Sequence, residues 1–294
     1  MATVQMGSSF PAELVRERYS KVKGHSSLAK IAGADPIAFT GTDVFVFDLD
    51  GNVSIVGESA AKPAGSATVT AKQIRPVKVV YQARVSDEFV RASEEKQLEY
   101  LRNFADGYAK KIAEGFDVMA MHGVNPATGI ASALIGANNF DSTITSTNTI
   151  TLGHDSTTID TNIEEAISKA GDVSGIVLAP AARTAMADLK TDLGKTYPDF
   201  AFGNAPATLG GATLDVNKTL AANSSLDRVL VGDFGAFKWG YALNIPLEVI
   251  EYGNPDGGSY DLKQANEVLL RAEAFIGWGI LDASAFALVK AANG

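Results

Sequence analysis

The chain has 294 residues, with 25 Lys and Arg against 34 Asp and Glu, a formal net charge of -9, no cysteine and three histidines. Without cysteine there are no disulfides, thiolate nucleophiles or cysteine metal sites, and a three-histidine centre would need His25, His122 and His154 together from different elements. The acidic balance argues against a dedicated nucleic-acid-binding surface, which needs clustered Lys and Arg, and no run reaches the roughly 20 apolar residues that span a bilayer.

The first 40 residues offer one short helical candidate, Pro11 to Ser20, with Leu14, Val15 and Tyr19 as a small apolar stripe and Pro at its start. Loop-like sequence follows around Gly24 and Gly33, and Arg16, Arg18, Lys21 and Lys23 make a basic cluster diluted by Glu13 and Glu17. So small a stripe cannot support its own core, so the segment is expected to lie along another part of the molecule.

Gly41 to Ser93 is the most informative stretch. VFVFDLD, then Gly51 and Asn52, then VSIV read as strand, tight turn and strand. Gly57 to Thr70 is rich in Gly, Ala, Ser and Thr, and Pro63 bars it from a central strand. Val77 to Ser86 alternates Val77, Val79, Tyr81, Ala83 and Val85 on one face and reads as a better-buried strand. A long, polar ribbon of this kind suits a chain that reaches across its neighbours. Val53, Ile55, Val69 and Ile74 are expected to become buried only on assembly.

Residues 93–121 carry the strongest helical signal. Ser93 followed by Glu94 and Glu95 suits a helix start, and Leu98, Leu101, Phe104 or Ala105, Tyr108, Ile112, Phe116 and Met119 recur at three- and four-residue steps. Turn signals dominate Gly123 to Thr151. Thr161 to Ala170 reads as a helix, SGIVLAP as a buried strand, Ala181 to Leu193 as a helix, and LGGATLDV and DRVLVGDFGAFKWGYA as strands with a turn near Asn223 to Asp227. The last block reads as a strand in IPLEVIEYG, a helix over Glu267 to Ala274, and strands in IGWGI and AFALVKA. A chain that leaves one sheet, builds an α/β middle and returns to finish the sheet explains the order.

Catalytic patterns are sparse. FVFDLDGN resembles the first motif of haloacid-dehalogenase-like phosphatases, in which Asp48 would be the nucleophile, Asp50 the acid/base, and both Mg²⁺ ligands. Asn52 replaces the usual Thr or Val, and Gly232-Asp233 does not supply the later acidic pair, so a hairpin turn at Asp50-Gly51 or Gly51-Asn52 is the competing reading. No G-x-S-x-G elbow occurs, and Gly210-Gly211 and Gly257-Gly258 lack the context of a phosphate loop. Trp239, beside Lys238 and near Phe237 and Tyr241, fits a half-buried aromatic strand better than a base-stacking platform. No catalytic, cofactor-binding or metal residue is assigned.

The order of features resembles the major capsid proteins of tailed bacteriophages, the Hong Kong 97-like fold family shared with encapsulins. The resemblance rests on GESAAKP with Glu58, RPVKVVYQARVSDEFV, DVMAMHGVNPATGI, LGGATLDV, VLVGDFGAF and ANEVLLRAEAFIGWGILDASAFALVK, and covers the chain after about Asp35. It implies an α+β fold with an N-terminal arm over 1–41, an extended hairpin loop over 42–76, and a peripheral domain from 77–123 and 246–294 that includes a spine helix over 93–121. It also implies an axial α/β domain over 124–245. The implied function is a virion building block, assembled in the host cytoplasm as pentamers and hexamers into an icosahedral head around double-stranded DNA. An encapsulin-like compartment is the alternative. Implied partners are further copies of the chain, a portal protein, a separate scaffolding protein and a decoration or cement protein, with no sequence-specific DNA contact, cofactor or membrane. Ribbon lysines Lys62 and Lys72 and the distal Asn266 do not align with the isopeptide partners of crosslinking relatives, so no crosslink is expected. Glu58, Lys62, Arg75 and Lys78 are the expected inter-subunit contacts, because they lie on a segment with too little apolar material to fold back alone.

Overall fold

The computed structural model describes residues 25–50, 52–88, 94–152 and 158–292. The expected helix at Pro11 to Ser20, the basic cluster Arg16, Arg18, Lys21 and Lys23, the cap at Ser93, and His154 lie outside these residues. The first elements are α1 (Ser27–Ile31), β1 (Thr42–Asp50), β2 (Ser66–Ile74), β3 (Val77–Ser86) and α2 (Glu94–His122). The middle of the chain forms α3 (Phe140–Thr143), β4 (Thr149–Thr151), α4 (Ile159–Ala170), β5 (Gly175–Leu178), α5 (Pro180–Asp188), β6 (Lys190–Thr191) and β7 (Gly194–Lys195). After these come β8 (Thr208–Leu209), β9 (Ala212–Val216), β10 (Asp227–Gly232), β11 (Phe237–Ile250), β12 (Glu267–Ile280) and β13 (Phe286–Lys290).

Helix α2 follows its apolar stripe, and its 29 residues make a rod of about 43 Å. Leu101, Ala105, Tyr108, Ile112, Phe116 and Met119 are buried, whereas Leu98, at the start of the expected stripe, is half exposed. Gln97 to Tyr100 precede the packed part of the rod, so only the later turns reach the core. There Phe116, fully buried, has its ring centroid 5.0 Å from Trp239, 5.8 Å from Trp278 and 6.4 Å from Phe237. Both indoles satisfy their single donor: Trp239 Nε1 donates to the Ala32 carbonyl at 3.1 Å and Trp278 Nε1 to the Asn138 carbonyl at 2.9 Å. Trp239 is therefore a fully buried core residue rather than a half-buried one.

Two sheets flank this core. The first has the order β11-β12-β3, all antiparallel. In β12 the side chains of Val268, Leu270, Ala272, Ala274, Ile276, Trp278 and Ile280 alternate into the core. That period of two overrides the helix-favouring Leu, Arg, Ala and Glu of 267–274, so the helix expected there is a strand paired on both sides. The second sheet has the order β4-β13-β10-β5-β9-β8. Its central strands are covered on both faces: Ile176, Leu178, Val229, Val231, Ala287 and Val289 meet α4 and α5, while Val177, Leu230 and Leu288 join the cluster around α2. This explains why SGIVLAP reads as continuously apolar.

Strand pairing divides the chain differently from the expected 77–123 with 246–294 against 124–245. β11, from Phe237, belongs to the three-stranded sheet, and β13 lies between β4 and β10 in the six-stranded one. Phe286, Ala287, Leu288 and Val289 are all buried, so β13 needs partners on both faces, and a central sheet position supplies them. The helix expected over Ala181 to Leu193 ends at Asp188, since Leu189 is extended and Gly194, at φ 126, turns Lys190–Thr191 back on Gly194–Lys195.

Candidate assembly surface

β1 and β2 form a two-stranded antiparallel ribbon, from Thr42 opposite Ile74 to Asp50 opposite Ser66. Gly51 of the expected tight turn lies outside the described residues, but β1 pairs with Ser66–Ile74 rather than with VSIV, and 52–65 lie in the connection between the two strands. Pro63 and the Gly and Ala residues around it have little strand tendency, whereas SATVTAKQI alternates and fits the pleat opposite β1. Within the connection, Ala60 N donates to the Gly57 carbonyl at 3.1 Å, and Ser59 takes the left-handed backbone at φ 67.

Directly opposed residues in an antiparallel pair share a face. One face of the ribbon therefore carries Phe45 with Ala71, Phe47 with Val69 and Leu49 with Ala67. Every one is apolar, and all are exposed, with Phe45 at 62%, Phe47 at 67%, Leu49 at 73% and Val69 at 51%. Val53 and Ile55, in the connection, are fully exposed. No contact within the described chain covers this band, and such a continuous apolar face marks an interaction surface. The ribbon expected to be polar thus carries an apolar face built from Phe45, Phe47 and Leu49. Their signal was the odd-numbered alternation of VFVFDLD, visible once register is known.

The root of the ribbon is packed firmly. Ile74 is 2% exposed, so the expectation that it stays open until assembly is corrected. It sits over Gly277 and Gly279 of β12, and a Cβ at Gly279 would come within 2.8 Å of Ile74 Cγ1. In IGWGI the large residues thus face the core, and the glycines leave space for the ribbon root. Lys72 Nζ adds a hydrogen bond of 3.0 Å to the Ile280 carbonyl.

The four expected contact residues fall into two groups. Glu58 and Lys62 are exposed in the connection over 52–65, and Arg75 and Lys78 are exposed at the root. Arg75 Nε donates to Gln73 Oε1 at 2.6 Å. Lys78 pairs with Glu273 of its own β12 at 2.9 Å and lies 6.0 Å from the Phe275 ring centroid. The structure does not bring the four together. Nor does it support the phosphatase reading of Asp48 and Asp50, because both lie in the antiparallel ribbon opposite Thr68 and Ser66 rather than at the end of a core strand.

Two polar clusters, one buried and one partly buried, form on the last turns of α2. Asp117 is wholly buried and accepts hydrogen bonds from the Ser26 hydroxyl, Ser27 N at 2.9 Å, Thr219 Oγ1 at 3.1 Å and Asn217 Nδ2 at 3.2 Å. Burial pushes its carboxyl up to about 6 against these donors. The arrangement ties the start of α1 to the long helix. His122 joins Asp141, Asp227 and Lys290 in the second cluster. Arg84 of β3 organises the loop between β11 and β12, reaching Asp256 at 2.6 Å and 2.7 Å, Asn254 at 2.9 Å and the Tyr260 carbonyl at 3.1 Å. Among the described residues no helix is long and apolar enough to cross a membrane.

Comparison with known proteins agrees with this architecture. The sequence model of the phage capsid family matches residues 11–291. A solved structure from Mycobacterium phage Ogopogo superposes with a TM-score of 0.75 at 31% identity, covering 91% of this chain and 92% of that one. One from Gordonia phage Cozz gives 0.75 at 23% identity, covering 92% and 87%, and the capsid of an empty GTA particle gives 0.62 at 16%, covering 100% and 94%. No curated protein matches the sequence significantly. With nearly its full length matched by the family model, the chain belongs to the phage capsid family and is a self-assembling structural protein of the virion shell rather than an enzyme.

Proposed function

We propose that the chain is the major capsid subunit of a tailed phage, forming pentamers and hexamers that close into an icosahedral head around double-stranded DNA. The observation that carries this reading is the bare apolar face of Phe45, Phe47, Leu49 and Val69 on a ribbon firmly rooted in its own sheet. A neighbouring copy covers that face, so interface area is supplied that the subunit's own core cannot provide. In this reading 42–76 is the reaching loop, 1–41 the arm, the three-stranded sheet with α2 the peripheral unit, and the six-stranded sheet with α4 and α5 the axial unit. Glu58, Lys62, Arg75 and Lys78 flank the apolar band and set its register on the neighbour; as exposed pairs each contributes about 0 to 1 kcal/mol.

A separate scaffolding protein, a portal and a decoration protein complete the proposed assembly, which takes place in the host cytoplasm. A net charge of -9 suits a wall that encloses DNA without gripping it. Cryo-imaging of particles, together with their mass and nucleic-acid content, tests the reading. Icosahedral shells containing double-stranded DNA support it. A small closed oligomer, or a shell filled with protein cargo in place of a genome, overturns it. Charge reversal at Glu58, Lys62, Arg75 and Lys78 that leaves assembly unchanged overturns the assignment of those four contacts.

A further inference from the structure

The end of α2 meets the six-stranded sheet through a partly buried quartet of titratable groups. His122, with only 4% of its side chain exposed, places Nδ1 2.7 Å from Asp141 Oδ2 on α3 and 3.6 Å from Asp227 Oδ2 at the start of β10. Its other nitrogen, Nε2, lies 3.0 Å from the Thr219 carbonyl in the turn 218–224. A carbonyl can only accept, so Nε2 carries a proton. Lys290, at the end of β13, reaches across both carboxylates, with Nζ 3.3 Å from Asp141 Oδ1 and 3.2 Å from Asp227 Oδ1. The contact to Asp227 is an ion pair without hydrogen-bond alignment. These are the charged groups that face His122: Asp141 from α3, Asp227 from β10 and Lys290 from β13.

Burial and the neighbouring Asp141 push the Asp227 carboxyl up to about 6, so above that pH, with both ring nitrogens protonated, two cations balance two carboxylates. When the Nδ1 proton leaves to solvent, the Nε2 proton stays on the Thr219 carbonyl, and the bare Nδ1 lone pair faces Asp141 Oδ2. The quartet then carries a net charge of -1 around the buried His122 ring and Asp227 carboxylate, where uncompensated charge is costly. Asp141 and Asp227 repel each other with only Lys290 between them.

We propose that this quartet is a pH-operated latch, which fastens the end of the long helix to the six-stranded sheet while His122 is an imidazolium and releases it when the ring loses one proton. The latch lies between the sheet that bears the ribbon and the sheet that bears α4 and α5, so it governs how firmly those two parts are held together. The electrostatics agree in sign. Burial opposes the imidazolium, but the hydrogen bond and charge of Asp141, with the Thr219 carbonyl and Asp227, outweigh it and hold the ring above its ordinary value. A group raised in the folded state stabilises below its unfolded pKa and loses that contribution as pH rises through the folded one. The latch therefore opens on the alkaline side. Lys290 already occupies the cation position between the carboxylates, which sets this cluster apart from a metal site.

Hydrogen exchange with mass spectrometry on assembled particles, between about pH 6 and 9 and corrected for intrinsic exchange, tests the latch. Protection in peptides covering 119–124, 139–144 and 218–229 is expected to fall by up to about tenfold per pH unit from the ordinary histidine value of 6.5 up to the raised value in the folded chain, and to level off above it, as one-proton linkage requires. Peptides over 103–112 of the same helix should not follow. His122→Gln should abolish the pH dependence. Asp227→Asn, which removes one carboxylate, should move the fall to lower pH, and this variant carries the test if His122→Gln does not fold. Flat protection in the native protein, an unchanged fall in His122→Gln, or no downward shift in Asp227→Asn overturns the proposal.

Discussion

Replacing Phe45, Phe47 and Leu49 together by Thr isolates assembly from folding. Threonine keeps strand tendency while removing apolar area, and all three side chains are mostly exposed among the described residues. Burying such a side chain completely contributes about 1.5 to 3 kcal/mol. With exposures of 62%, 67% and 73%, about two-thirds of that remains to be gained, or about 3 to 6 kcal/mol per ribbon. If side-chain ordering leaves about 2 kcal/mol per contact, losing it raises the concentration needed for assembly roughly thirtyfold. The subunit should unfold within about 0.5 kcal/mol of the native chain, as expected of surface changes. Light scattering and size-exclusion chromatography across a concentration series measure assembly, and thermal unfolding of the unassembled subunit measures folding. An unchanged assembly threshold with unchanged melting would refute the reasoning. A large drop in melting temperature would do so differently, by showing that the ribbon face packs inside its own subunit.

Asp117→Asn should destabilise the subunit by about 1 to 3 kcal/mol at neutral pH, because an amide cannot accept from all the donors that now converge on the carboxylate. It should also flatten the pH dependence of stability. A carboxyl raised to about 6 contributes most below the unfolded value of 3.8 and loses that contribution as pH rises through about 6, so the native chain should gain stability from this site on acidification, and the variant should not. Denaturant melts at a series of pH values read both effects. Gly240→Ala places a Cβ within 1.7 Å of the Asp35 carbonyl oxygen, where the segment before β1 runs along β11 with Asp35 N donating to the Trp239 carbonyl at 2.8 Å. The expected cost is about 1 to 3 kcal/mol or more, with cleavage by protease near residues 33–38; native-like melting and cleavage would count against that close approach.

Much of the fold was legible where one period dominated. The stripe from Leu101 to Met119 could only be a helix, and Val77 to Ser86 alternated as a strand and is one. Glu267 to Ala274 misled because Leu, Ala, Arg and Glu favour a helix locally, and only pairing with β3 and β11 settles the other period. The ribbon was legible as a strand pair but not in its register. Gly51-Asn52 is a good turn sequence, yet β1 gains a longer ladder by pairing with Ser66–Ile74. That choice decides which side chains share a face, and so the apolar band of Phe45, Phe47 and Leu49 was hidden.

The sequence by itself determined the class of molecule: a cysteine-free, acidic chain with a long amphipathic helix, a reaching segment before it, and an order of motifs resembling capsid proteins. These properties are local or additive, and each can be counted along the chain. The tertiary structure alone decided where Ile74 is buried, why Gly277 and Gly279 stand opposite it, and which ribbon face is bare. It also brought His122, Asp141, Asp227 and Lys290 together from four separate elements. Register and long-range packing depend on competition between distant partners, and that competition is settled only when the whole chain folds.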